Sequence, residues 1–259
     1  MFPTPVCSDL DAGCEFLPWS LCIPPTMAHE WYTLDELAKQ LGRDRREIER
    51  LVNRGRIPGH KRGSDWQFHS EEISQWLEQE MRDFSDSQLA NVERTHQSSE
   101  VTSEIPVSSL LKPELVQVPL EARTKRSVLE SLVEVAGRTW QVWEPATVLK
   151  AVQEREAMMT TAFNNGVAFP HARQSCPDSL GQSLVAFGRT LSPIPFGASN
   201  NSGTDCFFLI LCRDTKTPLQ VLARLSRMVQ LPDFLPMLRD VEDSALTYEV
   251  ILAAERQLS

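Results

Sequence analysis

The chain has 259 residues, of which 41% are hydrophobic and 24% charged, and a formal net charge of −9; that length suffices for one large domain or two smaller ones with separate cores. The strongest apolar run, CFFLILC at 206–212, is strand-sized, so no membrane insertion is expected. The acidic total does not exclude a nucleic-acid partner, because charge is segregated: from Lys39 to Arg62 nine Lys/Arg residues stand against three Asp/Glu.

Residues 1–28 are proline-rich, lack Lys and Arg and follow neither structural period. They read as a disordered leader or an over-long start, with Met27 just before the first patterned element. The first basic residue is Lys39, so the positive n-region of a signal peptide is missing and a cytoplasmic location is expected. Cys7, Cys14 and Cys22 lie in this leader, and Cys176, Cys206 and Cys212 near the other end. No C-x-x-C pair or histidine at ligand spacing accompanies them, so structural thiols are expected, with no metal and no cofactor.

From Trp31 the pattern sharpens. Thr33 and Glu36 form a capping-box signature before Leu34, Leu37, Ala38 and Leu41, which share a helical face ended by Gly42. Asp44 and Glu47 repeat the signature for a second helix, with Ile48, Leu51 and Val52 inward and Arg45, Arg46, Glu49, Arg50 and Asn53 outward. Two helices across a short glycine turn make a helix-turn-helix. RIPGHKRGSDWQF then reads as a hairpin wing, and SEEISQWLEQEM as a closing helix packed through Ile73, Trp76 and Leu77. Residues 83–104 are polar and serine-rich and read as a linker.

Over residues 29–82, Trp31-Tyr32-Thr33, Glu36-Leu37-Ala38, Leu41-Gly42, Arg54-Gly55-Arg56-Ile57-Pro58, Trp66-Gln67-Phe68 and Trp76-Leu77 resemble the excisionase-like winged helix-turn-helix module related to MerR regulators. The resemblance implies double-stranded DNA as partner. Arg45, Arg46, Arg50, Asn53, Arg54 and Arg56 are the candidate groove-facing residues, a guanidinium being suited to a guanine edge. His60, Lys61 and Arg62 on the wing are candidate phosphate contacts. A solvated basic face on a protein-binding module is the competing reading, and a homodimer is left open.

From residue 105 to 259 strands alternate with helices: LVQVPL, a helix over TKRSVLESLVEVAG, a helix over PATVLKAVQEREAMM, then strands GVAFPH, SLVAFGRT and DCFFLILCR, with helices from Thr217 onward. This predicts an α/β domain on one mixed sheet flanked by helices. Neither G-x-S-x-G nor a dinucleotide or P-loop glycine pattern occurs, which disfavours those chemistries.

The pieces TKRSVLESLVEVAG, REAM, NGVAFPHA, PIPFGA and PLQVLARLSRMV resemble enzyme IIA of the phosphoenolpyruvate-dependent phosphotransferase system, in its fructose/mannitol and nitrogen-regulatory branch. The resemblance implies that His171 accepts a phosphoryl group from an HPr-like phosphocarrier and that Arg155, sixteen positions earlier, neutralises it. Neutral imidazole is a competent nucleophile near pH 7. Three departures stand out: Pro218 where the family usually has a second histidine, Asn164 where a small residue is usual, and Arg173, a candidate substitute phosphate ligand. His171 is the one histidine after His96, and proline cannot hold a phosphoryl group. Three readings stay open: a DNA-binding regulator sensing phosphotransferase status through His171, a phosphoryl carrier with an incidental N-terminal module, and a phosphate-independent binding module tethered to DNA.

Overall fold

Thr33 determines where the first helix begins. In the computed structural model, which describes residues 31–95, 105–214 and 217–258, β1 (Trp31–Thr33) runs directly into α1 (Leu34–Leu41). The Thr33 hydroxyl accepts from the Glu36 N–H, and the Glu36 carboxylate accepts from the Thr33 N–H at 2.7 Å, the reciprocal box anticipated from sequence. Gly42 closes α1 at φ 62°, a conformation glycine adopts without strain. Asp44 caps α2 (Arg45–Asn53) by accepting from the Arg46 N–H at 2.8 Å. The second box is incomplete, because Glu47 turns to Arg43 at 3.2 Å instead.

The wing is a hairpin of β2 (His60–Arg62) and β3 (Asp65–His69), and β1 completes an antiparallel sheet in the order β1-β3-β2. α3 (Ser70–Glu80) closes the unit. Leu37, Ile48, Ile57, Phe68, Ile73 and Leu77 are buried, with Trp76 packed against them. The leader residues 1–28 lie outside the described residues.

In the second unit α5 (Val107–Leu110), β4 (Val116–Gln117), α6 (Lys125–Gly137) and α7 (Pro145–Met158) precede β5 (Val167–Ala168), β6 (Leu184–Ile194) and β7 (Thr204–Leu211). α8 (Thr217–Met228), α9 (Phe234–Asp240) and α10 (Ser244–Arg256) follow. The sheet order is β4-β6-β7-β5, with β6 antiparallel to β7 and the outer strands parallel to their neighbours, the mixed sheet expected from sequence. Leu184–Phe187 of β6 and Cys206–Leu211 of β7 are continuous apolar runs, buried at every position because both faces are covered there. The stretch GVAFPH is a shorter strand than its composition predicts: only Val167 and Ala168 join the ladder, and His171 bridges separately to Ile210. Pro170 ends the regular run because it has no N–H to donate.

The segment read as a linker departs most from expectation. Met81–Asp83 is a 3-10 turn and Asp86–Thr95 is a helix, α4, that buries Leu89, Val92 and Glu93; residues 96–104 lie outside the described residues. α4 packs on α8. The Glu93 carboxylate pairs with Arg224 and, at 2.8 Å, with Arg227, which also reaches Asp86 at 2.7 Å. Arg224 continues to Glu255 at 2.7 Å, and Glu255 accepts the Val107 and Ser108 N–H groups at the start of α5. Local composition carries no sign of this, because the helix is held by charges 131 positions away.

Glu93→Ala deprives the buried Arg224 of its Glu93 partner. Breaking a buried pair costs about 3 kcal/mol, so the variant of the full chain is expected to unfold at lower urea concentration, read by circular dichroism. An unchanged midpoint contradicts this account of α4.

Candidate functional site

His171 is placed by the fold, not by its own loop. Pro170 gives its carbonyl to the Ile210 N–H at 2.9 Å, tying the motif to β7. Phe169 is buried between Phe163 and Phe208, at ring separations of 4.9 and 5.8 Å. Gly166 sits at φ 88°, and a Cβ there would collide with the Arg239 guanidinium, so the turn into β5 requires glycine. The His171 side chain is 5% exposed. Its Nδ1 lies 2.8 Å from the Phe169 carbonyl, which can only accept, so Nδ1 carries a proton and Nε2 is the outward-facing nitrogen.

Nε2 does not face open solvent. It lies 3.1 Å from Glu78 Oε2, and that oxygen also accepts from the Arg155 guanidinium at 2.6 Å. Arg155 is buried near the end of α7 and donates its other arm to the Met159 carbonyl at 2.9 Å. The structure therefore brings His171 and Arg155 to one oxygen, and that oxygen comes from α3 of the winged unit. Burial pushes the Glu78 carboxyl up, but the charge and hydrogen bonds of His171 and Arg155 outweigh it and hold the group below its ordinary value of 4.5.

More of α3 and the turn after it takes part. Glu71, two turns before Glu78, pairs with Arg173 at 2.9 Å and accepts from Gln174 at 3.0 Å. One turn after Glu78, Arg82 donates to the Thr160 carbonyl and lies 5.4 Å from the Phe163 ring centroid. Burial, then the neighbouring Arg155, lowers the affinity of Arg82 for its proton. Arg173 thus engages the winged unit. Ser74, Gln75, Glu78, Arg155, His171 and Pro218 line a cleft of about 810 Å³ between the units. Pro218 stands in the first turn of α8, where the Asp214 carboxylate accepts from the Thr217 N–H at 2.8 Å. Asn164 serves its own loop: the side chain accepts from Ser199 at 2.8 Å, and the carbonyl from the Asn200 side chain at 3.1 Å.

Glu71, Glu78 and Arg82 were not singled out by sequence reasoning. The available signal was their spacing, since Glu71, Ser74, Gln75 and Glu78 form one helical stripe opposite Ile73 and Leu77, with Arg82 in the turn that follows. In isolation such a stripe reads as a solvated face.

The candidate DNA contacts form a separate surface. Arg45, Arg46, Arg50, Asn53, Arg54, Arg56, His60, Lys61 and Arg62 are all exposed. Some are engaged locally: Arg45 with Asp35 at 2.7 Å, His60 with Glu72 at 2.7 Å, and Arg62 over the Trp31 ring at 5.0 Å. Among the described residues no group of His, Cys, Asp and Glu is arranged to hold a metal ion, and no helix is long and apolar enough to cross a membrane. Cys176, Cys206 and Cys212 are free thiols.

Residues 109–254 match the family model described as phosphoenolpyruvate-dependent sugar phosphotransferase system, EIIA 2, and residues 31–81 match a helix-turn-helix domain. The chain belongs to the EIIA 2 family. A nitrogen regulatory protein of Bradyrhizobium diazoefficiens is 29% identical over 149 residues, 57% of this chain and 95% of that one. A nitrogen regulatory protein of Escherichia coli K12 is 28% identical over 153 residues, 58% of this chain and 92% of that one. The crystal structure of nitrogen regulatory protein IIA-Ntr from Neisseria meningitidis superposes with a TM-score of 0.51 at 21% identity, over 56% of this chain and 98% of that one, a likeness of fold. Each of these EIIA-type chains is covered almost whole by little more than half of this one.

Because the Glu78 carboxyl is held below its ordinary value, its contribution to stability is complete above that value and is lost as pH falls through the lowered one. The difference in denaturant stability between the parent chain and Glu78→Gln is expected to narrow as pH is taken below about 5. A difference that stays constant down to acid unfolding contradicts this assignment.

Proposed function

We propose that this protein is a DNA-binding regulator that reads phosphotransferase-system status through phosphorylation of His171. The observation that carries the reading is the ring geometry: Nδ1 is committed to the Phe169 carbonyl, which orients Nε2 toward an anion position shared with the Arg155 guanidinium. On the same chain the exposed basic helix and wing form a second surface suited to phosphates. The nitrogen regulatory names of the relatives favour a regulatory over a transport role.

The chemistry needs little from the protein beyond alignment and charge. The lone pair on Nε2 attacks phosphorus in a phosphohistidine donor of the HPr class. The donor P–N bond breaks, its electron pair returns to the donor ring, and the new P–N bond forms to Nε2. Nδ1–H stays bonded to Phe169 throughout, and Arg155 faces the phosphoryl oxygens. Pro218 offers no nitrogen for a further relay, which favours phosphate held as a signal over phosphate passed on.

Incubating the full chain with phosphoenolpyruvate, enzyme I and HPr is expected to add one acid-labile phosphoryl group by intact mass, absent in His171→Ala. No addition, with a control enzyme IIA labelled in the same tube, leaves the phosphate-independent module tethered to DNA.

Duplex binding by the full chain is expected to weaken steeply with salt, and Arg46→Ala with Arg50→Ala to reduce it at least tenfold at low salt, measured by fluorescence anisotropy. Salt-independent or negligible binding removes DNA from the reading.

A further inference from the structure

We infer that Glu78 is a built-in occupant of the phosphoryl site, so that seating of α3 on the second unit and phosphorylation of His171 exclude one another. This rests on the reading of His171 as phosphoryl acceptor and adds the device that couples it to the winged unit.

Three observations converge. The first is position: Glu78 Oε2 is 3.1 Å from Nε2 and 2.6 Å from the Arg155 guanidinium, which is where an oxygen of a phosphoryl group bonded to Nε2 would find its counter-charge. A covalent P–N bond is shorter than this contact, so phosphorus and its oxygens need the space that the carboxylate fills. The second is the lone pair. With Nδ1 donating to Phe169, the Nε2 contact to Glu78 is a hydrogen bond only when Nε2 also carries a proton, and that proton sits on the electron pair required for attack. The third is charge: a phosphoryl group adds roughly −1.5 to −2 beside a carboxylate only 14% exposed. Two anions cannot share one guanidinium at that distance without strong repulsion.

Phosphorylation then proceeds from the open state. As α3 withdraws, the Nε2 proton passes to bulk water, the lone pair is freed, and transfer follows as written above. Once phosphate is on Nε2, Arg155 turns its donors to the phosphoryl oxygens and α3 has lost its seat. The clasp between Glu71, Arg173 and Gln174 closes the same helix face two turns away and releases with it. The basic helix and wing are already exposed while α3 is seated, so the switch changes what the winged unit rests on without uncovering its basic surface.

The test compares phosphoryl transfer rates from phosphorylated HPr to the full chain, the Glu78→Ala variant and the Glu71→Ala variant. The reacting state is diluted by the seated population, so Glu78→Ala is expected to be labelled about tenfold faster or more. Glu71→Ala, which loosens the seat without touching His171, is expected to show a smaller acceleration and guards against misfolding of the first variant. Hydrogen exchange of residues 70–80 is expected to speed up when the parent is phosphorylated. Equal labelling rates in all three chains, with α3 exchange unaltered by phosphate, overturn the inference and leave the phosphorylation reading intact. No labelling of any of the three, beside a labelled control enzyme IIA, overturns both.

Discussion

A carboxylate set between an imidazole and a guanidinium is the contact on which the relation of the two folded units depends. Glu78, His171 and Arg155 are each costly to remove from water singly, and a buried ion pair is tolerated only when its remaining polar atoms are satisfied. Here they are. The Met159 carbonyl takes the second arm of Arg155, the Phe169 carbonyl takes Nδ1–H of His171, and edge-to-face contacts of the Phe169 ring with Phe163 and Phe208 hold the backbone that presents the latter carbonyl. The second unit therefore has a rigid, positively biased socket, and the first unit supplies the anion that fills it.

The other join has a different character. Glu93 on α4 lies between Arg224 and Arg227, and Arg224 leads on to Glu255 and the first turn of α5. Leu89 and Val92 bury apolar surface beside these charges, giving the non-directional stabilisation that the α3 stripe lacks. One join holds the chain segment between the units to the second unit; the other meets Nε2 of His171. The two joins stand on separate helices, and α4 packs on α1 of the winged unit as well as on α8.

Much of the fold was legible because its determinants are local. Thr33 with Glu36, Gly42, Pro145 and the apolar runs of β6 and β7 each announce their element from neighbours a few positions away. His171 and Arg155 were marked as candidates by spacing and family likeness, and the structure brings both to the same oxygen. α4 was not legible, because Leu89 and Val92 are too few to mark an amphipathic helix and its ion-pair partners lie on α8. Glu78 was missed for a related reason. A glutamate on the polar side of a helix satisfies every local rule, and only the placement of a second unit gives it a particular role. Arg173 shows the converse: a residue marked as unusual by sequence holds the peripheral clasp with Glu71.

The composition of the α3 stripe has a consequence for how the protein behaves when apart. Glu71, Ser74, Gln75 and Glu78, with Arg82 in the turn after them, are side chains that water solvates well, so opening this contact exposes no apolar side chain of the stripe itself. A contact made of leucines would be stickier, and every opening would expose a nucleation site for aggregation. A polar stripe keeps that hazard low at this contact, and reseating of the stripe brings ions back to their counter-ions.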